Sequence, residues 1–282
     1  MISIHYFAPP PALLHHVSSL YWFETQISGF ADLMRAELGQ IRLLVEGCGD
    51  TQYMGGRHRT SSGAVLQGAT TAPAHYTAQG RLRLFGIGLL PLGWAELIGV
   101  PAHELADDAV DLACVMPPAA VTRLMDQLGS ATDNNTRCRV VCDFLLDRLA
   151  ANRDPARWFT RLADYWLTAS PNPQVDALVA ASGMSSRSVE RLTQRIYGAS
   201  PKLLARKYRA LGAAVRLGMG EARNWSDAAG LAFYDQAHFI REFKAFTGMT
   251  PARFQAQSTP LTQITMTKRR LLPGRPNLVR IA

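Results

Sequence analysis

Arg187 and Arg191 stand four residues apart, and so do Ala237 and Arg241 fifty residues further on. On a helix, residues at that spacing share one face. Arginine bridges the O6 and N7 atoms of guanine, and glutamine bridges N6 and N7 of adenine. Ser186, Gln194 and Arg195 accompany the first pair. Gln236, His238 and Lys244 accompany the second. These residue types suit helices that read base edges in a major groove. One arginine on a helix face is ordinarily only solvated, so the weight rests on the recurrence.

The recurrence needs no gap. "GMSSRSVERLTQRIYGASP" (Gly183–Pro201) aligns with "FYDQAHFIREFKAFTGMTP" (Phe233–Pro251). Ser185 falls on Asp235, and each is a side chain that accepts an orphan backbone N–H at a helix start. Gly198 falls on Gly248, the residue type expected at a left-handed helix end. Ser200-Pro201 falls on Thr250-Pro251, with proline at the first position of the next helix. Val189, Leu192 and Ile196 form the inward stripe of the first copy, and Phe239, Phe243 and Phe246 that of the second. A short Ala-rich helix precedes each copy, "PQVDALVAAS" and "NWSDAAGLA". Helix, tight turn and capped helix make the helix-turn-helix plan, present twice.

"PKLLARKYRALGAAVRLGMG" (Pro201–Gly220) lies between the copies and reads as an amphipathic helix. About 17 helical residues span roughly 25 Å, a span suited to holding two readers about one DNA turn, roughly 34 Å, apart. Lys202, Arg206 and Lys207, with Arg209 and Arg216, are its candidate phosphate contacts. Charge follows the same division. From residue 171 onward there are 17 Lys and Arg against 6 Asp and Glu, whereas residues 1–170 carry 13 against 16. A basic rear part suits a polyanionic partner.

The residues "DQAHFIREFKAFTGMTPARF", with "WSDAAGLAFY" before them and the first copy further upstream, resemble the AraC/XylS family of bacterial transcription regulators. The resemblance covers about residues 158–255. It implies a seven-helix domain of two helix-turn-helix subdomains joined by a long helix. It implies promoter DNA as partner, with RNA polymerase recruited or assisted by family members that activate, while others repress. It places base reading on Arg187 and Arg191 and on Gln236, Ala237 and Arg241. Ala237 has no side-chain hydrogen bond to offer a base, and Thr193 stands where the family often carries an aromatic residue. Gly230 reads as a glycine inside a helix with no reason found for it.

In residues 1 to about 91, short apolar runs broken by Gly, Pro, Ser and Thr read as strands: "QIRLLVEG" (Gln40–Gly47), "GAVLQG" (Gly63–Gly68) and "RLRLFGIGLL" (Arg81–Leu90). Pro117–Ser130 and Asn135–Asn152 read as helices. The expected fold class is α+β, with a β-rich, barrel-like front domain carrying helices over residues 1–152. An all-α DNA-binding domain is expected over 153–257, and a basic, solvated or neighbour-packed tail over 258–282. "YFAPPPALLHHVSSLYWFE" and "LFGIGLLPLGWAELIGVPAHEL" resemble, less sharply, the cupin-like sensor domains of one branch of the same family. That implies effector response and a homodimer. A small-molecule effector, a regulatory partner protein and dimerisation alone stay open for this domain.

The histidines are scattered, with no H-x-H…E pattern of metal-binding cupins, so no cofactor and no metal are expected. His15-His16 reads as a helix-surface pair. Cys138 and Cys142 share a helix face, as two small buried residues or a redox pair. No nucleophile elbow, P-loop or dinucleotide fingerprint occurs, which sets an enzymatic domain well behind. The opening "MISIHYFAPPP" is no signal peptide, and "LFGIGLLPLGWA" is too short for a bilayer span. A cytoplasmic protein with no membrane partner is the expectation.

Overall fold

The computed structural model describes residues 2–26, 29–151, 154, 156–257 and 276–281. The front part is built on ten strands: β1 Ile2–Phe7, β2 Val17–Thr25, β3 Phe30–Met34, β4 Gln40–Glu46, β5 Gly49–Tyr53, β6 His58–Ser61, β7 Ala64–Gln67, β8 Ala74–Ala78, β9 Leu82–Leu89 and β10 Ala109–Asp111. The runs expected at 40–47, 63–68 and 81–90 are β4, β7 and β9. One sheet has the order β1-β2-β9-β4-β7-β10 and the other β3-β8-β5-β6. All pairings are antiparallel. Among the described residues no ladder joins the two sheets, so the barrel-like domain is two packed sheets, not a closed barrel.

Period-two alternation gives the larger sheet two buried faces. Leu20, Trp22, Ile41, Leu43, Phe85 and Ile87 turn to one core. The helices over that core are α1 Pro91–Gly93, which runs on into a π-turn at Trp94–Ile98, then α2 Pro118–Ser130 and α3 Asn134–Ala151. Phe23, Leu44, Val65 and Leu84 turn the other way and meet Phe30, Tyr76 and Ala78 of the smaller sheet. A cavity of about 70 Å³ opens on that side, lined by apolar side chains and by Arg35, Glu37, Gln40 and Arg42.

The rear part is helical: α4 Arg157–Ala169, α5 Val175–Ser182, α6 Ser186–Tyr197, α7 Pro201–Gly218, α8 Trp225–Ala229, α9 Gln236–Thr247 and α10 Pro251–Gln257. These are the seven helices that the resemblance implies. Gly230 is a correction: α8 ends there, at φ 51° and ψ −139°, so the glycine serves a helix exit rather than a helix interior. The chain end is a second departure. The short helix Asn277–Ile281 buries Leu278 and Val279 against the first helical core. Residues 258–275 of the expected tail lie outside the described residues, as do residues 152, 153 and 155 of the expected boundary.

His16 is a third correction. It is 2% exposed and its Nε2 lies 2.8 Å from Glu96 Oε2, itself 1% exposed. An inter-element partner 80 residues away hides it from a local reading. Cys142 is buried and Cys138 half-buried, with their sulfurs 3.9 Å apart. Among the described residues no group of three or more His, Cys, Asp or Glu is placed to hold a metal ion. No described helix is long and apolar enough to cross a membrane.

Candidate nucleic-acid interface

The caps set the frame of both helices, α6 and α9. Ser185 Oγ accepts from the Ser188 N–H at 3.3 Å, and α6 closes at Gly198 with φ 79°. Asp235 Oδ1 accepts from the His238 N–H at 2.6 Å, and α9 closes at Gly248 with φ 78°. Ser200 caps α7 through the Leu203 N–H, with Pro201 in its first turn. Both closing glycines also sit tight against the front domain. A Cβ on Gly198 would lie 3.2 Å from the Ala102 carbonyl oxygen, and one on Gly248 would lie 2.5 Å from Leu33 Cδ2.

Each of these two helices buries one face. Val189, Thr193 and Ile196 hold α6 on a core with Leu178, Leu204 and Trp166. Tyr197 donates to Asp164 Oδ1 at 2.7 Å, tying α6 to α4. Phe239 and Phe243 hold α9 on an aromatic core with Phe254. The third inward residue, Phe246, is buried against Ala36 of the front domain and against Ala210 and Leu211 of α7.

The opposite faces are free in different degrees. Ser186, Arg187 and Arg191 are exposed on α6, and Gln236, Ala237, Arg241 and Lys244 on α9. Gln194 is half-buried and reaches Glu190 at 3.4 Å. His238 is half-buried, its Nδ1 accepting from the Tyr234 N–H at 3.4 Å. Arg195 departs from expectation. It makes two bonds to Asp154, at 2.7 and 3.0 Å, and turns toward the domain junction. Burial raises the Asp154 carboxyl, but the Arg195 guanidinium and the Ala156 N–H together outweigh it and hold the carboxyl below its usual range.

The α7 cations depart further. Of the expected phosphate contacts only Lys202 is exposed. Lys207 is a correction: it is 4% exposed and donates at 2.7 Å to the carbonyls of both Glu37 and Thr70 in the front domain. Burial pulls its ammonium down to about 8. Arg206 is engaged by Glu242 through bonds of 2.9 and 2.7 Å and lies over the Phe246 ring. Those bonds hold the Glu242 carboxyl below its usual range. Arg209 reaches Asn172 at 3.0 Å and Glu242 at 3.5 Å, and Arg216 donates to the Ala228 carbonyl. These cations join helices and domains. Glu242 is one residue that sequence reading missed. Its only local signal is an acid on the edge of an aromatic stripe.

One segment of the front domain meets both α9 and α7, and Thr70 meets α7 from a second. Ala36 N–H donates to the Phe246 carbonyl at 2.8 Å, next to the Glu37 carbonyl that receives Lys207. Met34, Arg35 and Glu37 of this segment also line the cavity.

Residues 178–257 match the model of a helix-turn-helix domain, and residues 5–111 match a domain of unknown function, DUF6597. No curated protein matches the chain. Among solved structures, ToxT from Vibrio cholerae is similar at 7% identity, over 84% of this chain and 97% of that one, with a TM-score of 0.48. A cupin superfamily protein from Desulfitobacterium hafniense is similar at 14% identity, over 32% of this chain and 77% of that one, with a TM-score of 0.25. Likenesses of that size say nothing of what this chain binds. The C-terminal domain of this chain is an AraC-type helix-turn-helix domain, the DNA-binding module of transcription regulators, joined to a β-rich domain of the DUF6597 kind.

Proposed function

We propose that this protein is a sequence-specific transcription regulator that reads duplex promoter DNA with α6 and α9. The observation that carries the reading is the pair of exposed faces. Arg187 and Arg191 on one helix, and Gln236 and Arg241 on the other, stand free in solvent while their buried neighbours fix them. Lys202 and Lys244 supply phosphate contact, which positions a protein without specifying sequence. RNA polymerase and a second copy of the chain complete the proposed partners. A duplex recovered by selection from a random library tests the reading. Arg191→Ala and Arg241→Ala should each cost about 1–3 kcal/mol of specific affinity. Unchanged binding by both variants would contradict it.

The front domain is proposed to control this binding through a small effector. Arg42 is 6% exposed, lines the cavity and, among the described residues, has the Met34 sulfur as its hydrogen-bond acceptor, at 3.4 Å. Its guanidinium lies over the Tyr76 ring at 5.2 Å. A buried cation to which no carboxylate among the described residues is bonded suits a compact organic anion with an apolar body. Benzoate and hexanoate should raise the melting temperature of the wild type, and benzyl alcohol and hexanol should not. Arg42→Leu should abolish the carboxylate effect. Control by a partner protein would leave the melting temperature indifferent to both series.

A further inference from the structure

The entry to α9 differs from the entry to α6. An apolar residue just before a helix cap commonly packs on the fourth helical residue and fixes how the chain enters. For α9 that residue is Tyr234 and its expected target is Phe239. The target is already taken. Phe233, one residue earlier, meets Phe239 edge-on, with centroids 4.9 Å apart, and also edges onto His238 at 5.7 Å. Arg209 covers the Phe233 ring at 5.1 Å. Tyr234 is thereby left 93% exposed. The equivalent residue of the first copy, Met184, is half-buried and packs on its own core. The second copy therefore keeps an aromatic ring in water that no packing requirement holds there.

That ring stands one residue before the Asp235 cap, beside Gln236 and Ala237 at the leading end of α9. In a helix-turn-helix the leading residues of the second helix approach the base edges, and the preceding helix crosses the backbone. A turn residue between them faces the strand that borders the groove. Tyrosine is one of the side chains that bond phosphate oxygens. We infer that Tyr234 is a DNA contact, its phenol donating to a backbone phosphate beside the groove that α9 enters. The inference rests on the proposed DNA reading. It gives the second reader a polar anchor next to Ala237, which has none. The donor is neutral, so it releases no counterion and leaves the salt dependence alone.

The test uses the full chain, with the selected duplex and a scrambled duplex of equal length, followed by fluorescence anisotropy. Tyr234→Phe and Tyr234→Ala should each weaken binding about ten-fold, the loss expected for one hydrogen bond to a charged group. The loss should be the same on both duplexes, with unchanged salt slope and unchanged melting temperature. Wild-type affinity in Tyr234→Phe would overturn the inference, and so would a melting temperature lowered in both variants. Arg241→Ala in the same assay separates the two ideas. If it weakens binding while the Tyr234 variants do not, the phenol contact alone fails. If it too leaves binding unchanged, the reading of α9 fails.

Discussion

The two helix-turn-helix copies share a frame and differ in filling. Ser185 and Asp235 cap, Gly198 and Gly248 close, and Pro201 and Pro251 restart the chain at matched positions. Between those points the buried residues change. Thr193 of α6 occupies the place of Phe243 in α9, and Leu192 the place of Glu242. The first copy packs aliphatic residues with its own Tyr197 and borrows Trp166 of α4 and the Asn277–Ile281 helix. The second sets Phe233, Phe239, Phe243 and Phe254 edge-on or tilted against one another and ties Glu242 to α7. A helix-turn-helix is thus specified by its ends, and its core admits different fillings.

Substitutions at matched positions break or sharpen the comparison. Phe243→Ala should cost about 3–5 kcal/mol, because it empties the centre of an aromatic cluster. Lys207→Met comes next. It takes the buried donor from the Thr70 carbonyl, while the Glu37 carbonyl keeps the Thr70 N–H at 3.1 Å, which should cost about 1–3 kcal/mol. Thr193→Ala, at the position matching Phe243, should cost only about 1 kcal/mol, since it removes a methyl and one bond to the Glu190 carbonyl. Chemical denaturation measures all three, and equal costs for Phe243→Ala and Thr193→Ala would erase the contrast. Lys202→Ala should leave stability alone and lower the salt slope of DNA binding by about 1, whereas Lys207→Met should leave that slope unchanged. A reduced slope in Lys207→Met would mean that its ammonium leaves the front domain to meet phosphate.

Local signals were legible in the sequence and long-range partners were not. The caps, the closing glycines and the strands at 40–47, 63–68 and 81–90 depend on neighbours within a few residues, so period and residue type suffice. The fate of a cation on α7 depends on what lies across the helix bundle. Lys207 meets residues 170 and 137 positions away, and Arg206 one that is 36 away. The same composition that reads as a phosphate-binding stripe therefore builds a domain junction. His16 fails for the same reason, its partner Glu96 lying on another element. The exposed faces of α6 and α9 follow from helical period alone. The turning inward of Arg195 does not, because Asp154 stands outside the helix-turn-helix.

Binding of the selected duplex by wild-type protein, Arg191→Ala, Arg241→Ala and the double variant tests the central claim most directly. Two readers on one duplex predict that each single change weakens specific binding by about 1–3 kcal/mol and relaxes specificity in a different half of the site. The two losses should add in the double variant, since the helices share no contact residue. Wild-type affinity in the double variant would contradict the account.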